Sequence, residues 1–201
     1  FETQQKRRAV ELSLRSMKLG GVGLEGEQKE RFNEIKMRLA SLATTFSNNV
    51  LDETKASSRT IPDPRKLQGC PEPAKAMWAN AHQKAQEDTT IEIDPEQGPW
   101  RITLDMPSYI AVLSHVPDRE TRETVYKAHI TRAGEKDADK NNIPLIYEIL
   151  QLKSEMAKML GFNNYAELSL ASKMAPSIES VSELSELIRE KALPAAEAEL
   201  A

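Results

Sequence analysis

The stretch from residue 22 to residue 56 constrains the fold of this chain more than any other part. Apolar side chains recur in it at steps of three or four residues, which predicts one side of a single long amphipathic helix. That stripe consists of Phe32, Ile35, Leu39, Leu42, Phe46 and Val50. No proline or glycine lies between Glu27 and Ala56, so a helix over about residues 25–56 is expected. At about 1.5 Å per residue it is about 45 Å long, and shorter helices must pack along it.

The composition favours a mostly α-helical fold and excludes some classes of partner. Aromatic residues make up only 5% of the 201 residues, while leucine, alanine, glutamate and lysine are plentiful. The net charge is -4 and the one dense basic cluster is Lys6-Arg7-Arg8, so we expect no nucleic-acid partner. No apolar run approaches the roughly 20 residues that cross a bilayer, so no membrane partner is expected. The single cysteine, Cys70, fits a reducing compartment, which would be the cytoplasm or an organelle matrix.

Eight helices and one β-hairpin are predicted along the chain. Besides the long helix, helical patterns cover about residues 3–19, 73–86, 107–115, 117–133, 143–160 and 164–170, and a last one begins at about 176. The predicted buried stripe of the 143–160 helix is Ile146, Ile149, Leu150, Met156 and Leu160. Residues 57–73 contain four prolines and predict an irregular crossing. The hairpin, at about 89–104, would pair residues 89–93 with 100–104 and place Trp100, Ile102 and Leu104 on one face.

A glycine-rich loop precedes the long helix and matches the dinucleotide-binding pattern G-x-G-x-x-G through Gly21, Gly23 and Gly26. That pattern binds a pyrophosphate only where a strand leads into it and a helix follows. A charged amphipathic helix is predicted before this loop instead. The sequence therefore favours a flexible connection between two helices, and a helix in front of the loop would exclude the cofactor interpretation.

The three histidines and the cysteine are the natural candidates for a metal or catalytic site. His82, His115 and His129 have no second histidine or cysteine at the spacing that places two ligands on one helix face. Asp118 lies three residues after His115, but Pro117 separates them and breaks the helix. Cys70 has no histidine near it in sequence to activate its thiol. The sequence therefore predicts no catalytic, cofactor-binding or metal residue in this chain.

Three stretches together resemble the N-terminal helical half of the oligopeptidase A and thimet oligopeptidase family of zinc metallopeptidases. They are residues 22–56, 99–133 and 145–175, in the family's order, and the resemblance covers most of residues 10–193. The most specific local matches are FSNNVLD (46–52) and LGFNNYAE (160–167). The oligopeptidase A branch resembles the chain more than the thimet branch does.

The resemblance implies a mostly helical, two-lobed protein whose deep channel admits only short peptides. In that family two histidines of a His-Glu-x-x-His helix and a further glutamate bind zinc, and the glutamate between the histidines activates water. None of the three histidines here is followed by glutamate or by a second histidine four residues later. No catalytic or metal residue can therefore be carried over to this chain. Zinc is implied for the complete family members only.

The leading hypothesis is that residues 1–201 are one helical region of a longer oligopeptidase, without its catalytic zinc domain. Such a fragment would be inactive alone, would form part of the channel wall, and would meet short peptides and the missing C-terminal catalytic lobe as partners. The alternative is a stand-alone helical module that binds a peptide or protein without catalysis. A fragment should expose apolar side chains where the missing lobe docks, whereas a module should be polar there.

Overall fold

The predicted helices dominate a computed structural model that describes residues 3–86, 92–136 and 138–200. Two strands and two short 3-10 helices, Pro64–Leu67 and Ala138–Lys140, complete the described elements. The α-helices are α1 Gln4–Leu19, α2 Gly26–Ala56, α3 Glu72–Gln83, α4 Met106–His115, α5 Arg119–Ile130, α6 Ile143–Met159, α7 Tyr165–Leu170 and α8 Ile178–Leu200. The strands are β1 Arg59–Ile61 and β2 Trp100–Ile102. The mostly α-helical fold class is confirmed.

The long helix α2 has the apolar stripe that the sequence predicts. Phe32, Ile35 and Leu42 are buried, and Leu39, Phe46 and Val50 are half-buried. The helix contributes to both of the compact units into which the chain divides. One unit contains Phe1–Ser41 and Tyr147–Ala201, and the other contains Leu42–Ile146. The stripe therefore supplies core side chains to each unit.

The core of the second unit is built around two tryptophans. Trp78 of α3 and Trp100 of β2 are both almost fully buried, and apolar side chains from β1, α4 and α5 surround them. The indole Nε1 of Trp78 donates to Oγ of Ser108 at 2.9 Å, so its one polar atom is satisfied inside the core. As predicted, Trp100, Ile102 and Leu104 share the buried face. This unit holds all three histidines and Cys70.

The predicted hairpin has a different strand partner. Strand β2 pairs antiparallel with β1, with Arg59 opposite Ile102 and Ile61 opposite Trp100. The predicted first strand is 89–93. Its residues 89–91 lie outside the described residues, and residues 92–93 are not part of a strand. Segment 57–73 was expected to be irregular throughout, but Ile61 is a β-branched residue that becomes buried when it pairs with β2.

The predicted buried stripe of α6 is partly wrong. Ile146 and Leu150 are exposed, whereas Leu152 and Ala157 are the buried residues of this helix. Ile149, Met156 and Leu160 are half-buried. The helix carries apolar residues around much of its circumference, so periodicity alone did not identify which side would be covered.

Helix ends follow the capping chemistry of the sequence. The side chain of Asn164 accepts from the backbone N of Glu167 at 3.0 Å, which confirms the predicted capping interaction before α7. The carboxylate of Glu167 in turn accepts a hydrogen bond from the backbone N of Asn163 at 3.0 Å, one residue before the cap. Asp118 caps α5 by accepting from the backbone N of Thr121 at 3.1 Å.

Candidate functional site

The glycine loop is a helix connection and not a phosphate-binding turn. Helix α1 ends at Leu19, directly in front of the loop, so the condition that excludes a dinucleotide site is met. Gly21 has a φ of +80°, and a Cβ placed on it would lie 2.6 Å from the ring of Phe32. Its carbonyl accepts from Nζ of Lys29 at 2.7 Å. Gly21 therefore lets the chain turn tightly against the α2 stripe.

His129 lies in a polar cluster that joins α2, α4 and α5. Its ring stacks on Tyr109 with centroids 3.9 Å apart, and its Nε2 lies 2.9 Å from a guanidinium nitrogen of Arg132. Another guanidinium nitrogen of Arg132 donates to Oγ1 of Thr54 at 2.7 Å. Burial lowers the pKa of His129, and the positive charge of Arg132 lowers it further. Both effects favour the neutral imidazole. However, the guanidinium of Arg132 occupies the Nε2 side of the ring, and its positive charge repels a metal cation.

His82 and His115 are also unsuited to bind a metal together. Nε2 of His82 lies 2.6 Å from the side-chain nitrogen of Gln86, and its Nδ1 is buried without a partner among the described residues. His115 is the exposed last residue of α4. Within the described ranges no three histidine, cysteine, aspartate or glutamate side chains approach one another closely enough to hold a metal ion. The described residues therefore do not fit the zinc that the family resemblance implies.

Cys70 is a buried core residue. It is 5% exposed, and its Sγ donates to the backbone carbonyl of His115 at 3.4 Å. The structure therefore brings a histidine to the cysteine, but through its main chain and not through its imidazole. Burial raises the pKa of the Cys70 thiol, against a weaker lowering by the charge of Lys75. A protonated, buried thiol without a base beside it is a poor nucleophile.

The first unit contains a cavity of about 540 Å³ at the connection between α7 and α8. Apolar side chains of Phe162, Leu170 and Ile178 line it together with charged ones. The charged groups are engaged locally, since Nη1 of Arg15 donates to the carbonyl of Ala171 at 3.1 Å. Glu167, also in the lining, accepts from Asn163 and Asn164. The cavity can receive an apolar group, but it offers no paired nucleophile and base.

Sequence reasoning missed one buried polar junction. Asn142 is 4% exposed, accepts from the side-chain nitrogen of Asn49 at 2.8 Å and donates to the carbonyl of Phe46 at 3.1 Å. Its backbone N donates to the carbonyl of Ala133 at 2.8 Å. The FSNNVLD motif thus contains both α2 partners of Asn142, which gives this motif a structural role.

In the part of the chain that the structure describes, no helix combines the length and the apolar content that a bilayer crossing requires. This result agrees with the sequence pattern and concerns helices only.

Comparison with known proteins identifies related sequences. The model of peptidase family M3 matches residues 112–201. The organellar oligopeptidase A (chloroplastic/mitochondrial) of Arabidopsis thaliana is 42% identical over 96% of this chain and 24% of its own length. A probable cytosolic oligopeptidase A of the same plant is 41% identical over 93% of this chain and 26% of its own length. Oligopeptidase A of Escherichia coli strain K12 is 39% identical over the whole chain and 28% of its own length.

The branch prediction is tested by a more distant relative. A thimet-like oligopeptidase of Dictyostelium discoideum is 24% identical over 96% of this chain and 26% of its own length. The chain spans about a quarter of the length of the oligopeptidase A proteins it matches. The chain is therefore related to the oligopeptidase A proteins, matches peptidase family M3 over residues 112–201, and resembles these oligopeptidase A proteins more than the thimet-like one.

Proposed function

We propose that this chain is a non-catalytic, channel-wall region of a longer peptidase that degrades short peptides. Its relatives are oligopeptidases about four times its length, and their family is one of metallopeptidases. Both compact units would belong to one helical region at the N-terminal side of that protein. The zinc, and the residues that hold it, would lie in a C-terminal catalytic lobe.

The uncovered apolar face of α8 is the observation that carries this proposal. Leu184 is 59% exposed and Ile188 is 58% exposed, and the two lie four residues apart on one face of that helix. Neither α1 nor α8 contains a buried residue. Adjacent apolar side chains left open to water indicate a docking surface. A stand-alone polar module would not need such a surface, so the fragment hypothesis is favoured over the module.

Two further features support a structural and not a chemical role. The histidines are separated, and a guanidinium blocks the neutral one, His129. Four interactions between distant segments, at Asn142, Arg132, Arg31 and Arg38, join helices to one another or to connecting segments. By analogy with the organellar and cytosolic relatives, the complete protein would work in the cytoplasm or in an organelle.

A chimaera tests the proposal. The matching segment of the Escherichia coli oligopeptidase A is replaced by this chain, and the purified product is checked for folding by circular dichroism and for bound zinc. We expect cleavage of a quenched short peptide and none of a folded protein. A folded, zinc-loaded chimaera that cleaves both equally would show that this chain does not build a wall that restricts entry.

A misfolded chimaera is addressed by a second arm. Residues 1–201 and the remaining part of the bacterial enzyme are expressed as two polypeptides in one cell and purified through a tag on this chain. Recovery of the pair with peptidase activity supports the proposal. Failure of the two soluble pieces to associate contradicts it.

A further inference from the structure

The guanidinium of Arg132 ties the end of α5 to the end of α2. Its Nη1 donates to Oγ1 of Thr54 at 2.7 Å, and its Nη2 lies 2.9 Å from Nε2 of His129. Its Nε donates to the backbone carbonyl of His129 at 3.0 Å. The hydroxyl of Thr54 in turn donates to the carbonyl of Val50 at 2.7 Å, so its oxygen accepts from Arg132. These bonds form a continuous chain from α2 to the imidazole of His129.

This arrangement requires a neutral imidazole. A guanidinium nitrogen is always a donor, so Nε2 of His129 must be the unprotonated acceptor and the ring proton must be on Nδ1. The acceptors that Arg132 has among the described residues are a hydroxyl, a carbonyl and this imidazole, and none of them is negatively charged. The guanidinium therefore depends on the imidazole nitrogen for one of its three hydrogen bonds.

The other groups around His129 do not supply a negative charge. From α4, the ring of Tyr109 stacks on the imidazole with centroids 3.9 Å apart and planes 19° apart. From α2, the group that reaches it through the guanidinium is Thr54, which is uncharged. Glu53, the neighbour of Thr54 in the chain, forms an ion pair with Lys140 at 3.7 Å. No carboxylate contact among these groups would therefore stabilise an imidazolium.

Protonation of His129 would convert its contact with Arg132 into a repulsion. Nε2 would carry a proton and could no longer accept a hydrogen bond, and two positive groups would meet at the 2.9 Å that separates these nitrogens. Stacking on Tyr109 can hold the imidazole in either state, because the face of an aromatic ring also attracts a cation. The guanidinium is therefore the group that has to move, and its bond to Thr54 breaks when it does.

We propose that Arg132 is a pH-sensitive latch, closed while His129 is neutral and opened when His129 binds a proton, so that acidification releases the end of α2 from α5. Burial, and then the charge of Arg132, lower the pKa of His129 below its ordinary value of 6.5. The unfolded chain therefore binds the proton first as the pH falls below 6.5. The latch stabilises the second unit above that pH, and its contribution is lost as the pH falls through the lower folded pKa. The proposal does not depend on a role in a peptidase.

A nuclear magnetic resonance titration from about pH 8 to about pH 5 tests the latch. In the unaltered chain, the His129 ring should titrate with a midpoint below 6.5. The backbone amide signal of Thr54 should shift with the same midpoint, because the guanidinium leaves its hydroxyl when the ring is protonated. In Arg132→Met the midpoint of His129 should rise, since a repelling charge is removed, and the Thr54 signal should no longer follow it.

Two histidine substitutions provide a matched comparison. In His129→Gln, the side-chain carbonyl can accept from Arg132 without titrating, so the variant should fold at neutral pH and lose the Thr54 shift. His115→Gln changes the exposed last residue of α4 and should leave that shift unaltered. In urea unfolding, the unaltered chain and His115→Gln should be less stable at about pH 5.5 than at about pH 7.5, whereas His129→Gln should lose this difference.

Three results would overturn the proposal. The first is a His129 ring that titrates while the Thr54 signal stays unchanged, since the guanidinium would then keep its place. The second is a folded His129→Gln chain whose Thr54 signal still moves over the same pH range. The third is an Arg132→Met variant in which the midpoint of His129 does not rise. If His129→Gln does not fold, the titrations of the unaltered chain and of Arg132→Met decide the question without it.

Discussion

Arg38 of α2 and Glu148 of α6 form a bidentate ion pair, with Nε and Nη2 of Arg38 2.5 and 2.7 Å from the two carboxylate oxygens. Arg31, seven residues earlier on α2, forms the same bidentate pair with Glu155, seven residues later on α6. Its Nε and Nη2 lie 2.7 and 2.9 Å from the two carboxylate oxygens. The reversed spacing shows that the two helices run antiparallel along this stretch. Paired guanidinium forks fix the register between helices more strictly than single contacts do.

These pairs make the stability of the first unit depend on pH. Hydrogen bonds from Arg38 and Arg31 hold the pKa values of Glu148 and Glu155 below their ordinary value of 4.5. A group whose pKa is lower in the folded state stabilises the fold above its unfolded pKa, and that contribution is lost as the pH falls through the folded value. Glu148→Gln should therefore lower the free energy of unfolding at pH 7, and the difference should vanish once the pH falls well below 4.5.

Urea unfolding of four chains at several pH values checks this. The set consists of the unaltered chain, Glu148→Gln, Arg38→Gln and the double variant, which together isolate the pair. A difference that persists unchanged in acid would mean that Glu148 acts through packing and not through its charge.

Asn142 should be the most sensitive polar residue of the second unit. Removing its side chain leaves the amide of Asn49 and the carbonyl of Phe46 without partners in a buried site, so Asn142→Ala should cost about 2–4 kcal/mol. Asn48→Ala, at the exposed neighbour of Asn49, should change stability by less than about 0.5 kcal/mol. Thermal unfolding of the two variants compares them. Equal effects would contradict the role assigned to the junction.

The glycine loop offers a matched pair of substitutions. Gly21→Ala must place a methyl group 2.6 Å from the Phe32 ring at a φ of +80°, and should cost about 2–4 kcal/mol. Gly23→Ala meets nothing within 4 Å, and should be neutral or slightly stabilising because it restricts the unfolded chain. Denaturant midpoints measure both. If both variants were equally stable, Gly21 would not pack against α2 as described.

Cys70 should resist thiol reagents until the second unit unfolds. Its side chain is buried and its pKa is raised, so little thiolate forms at neutral pH and the reagent cannot reach it. A chromogenic disulfide should react slowly with the native chain and rapidly in denaturant. Fast stoichiometric reaction of the native chain would show that the pocket around Cys70 opens readily.

The sequence predicted the buried face of a helix only where the apolar residues of that helix lie on a single side. The stripe of α2 was predictable because its regularly spaced apolar residues occupy one side and polar or charged residues occupy most of the rest. Helix α6 is apolar on several sides, so the sequence could not indicate that Leu152 and Ala157 would be buried while Leu150 stayed exposed. Pairing of Ile61 with Trp100 joins residues 39 positions apart, and no local signal in β1 indicated that contact.

In the candidate site, too, some features could be predicted from the sequence and others depend on how the helices pack. The spacing of the histidines predicted that they would not share a helix face, and the structure places each in a different environment. The guanidinium beside His129 and the carbonyl beside Cys70 depend on packing between separate helices. Such contacts can be recognised only after the helices have been placed.

A non-catalytic role requires that the chain by itself cannot cleave peptides. The purified 201-residue chain is incubated with excess zinc and a quenched short peptide, alongside a bacterial oligopeptidase A as a positive control. No turnover above the zinc-only blank is expected, because the proposed function assigns the zinc and its ligands to the C-terminal catalytic lobe. Steady, chelator-sensitive cleavage by the chain alone would contradict it.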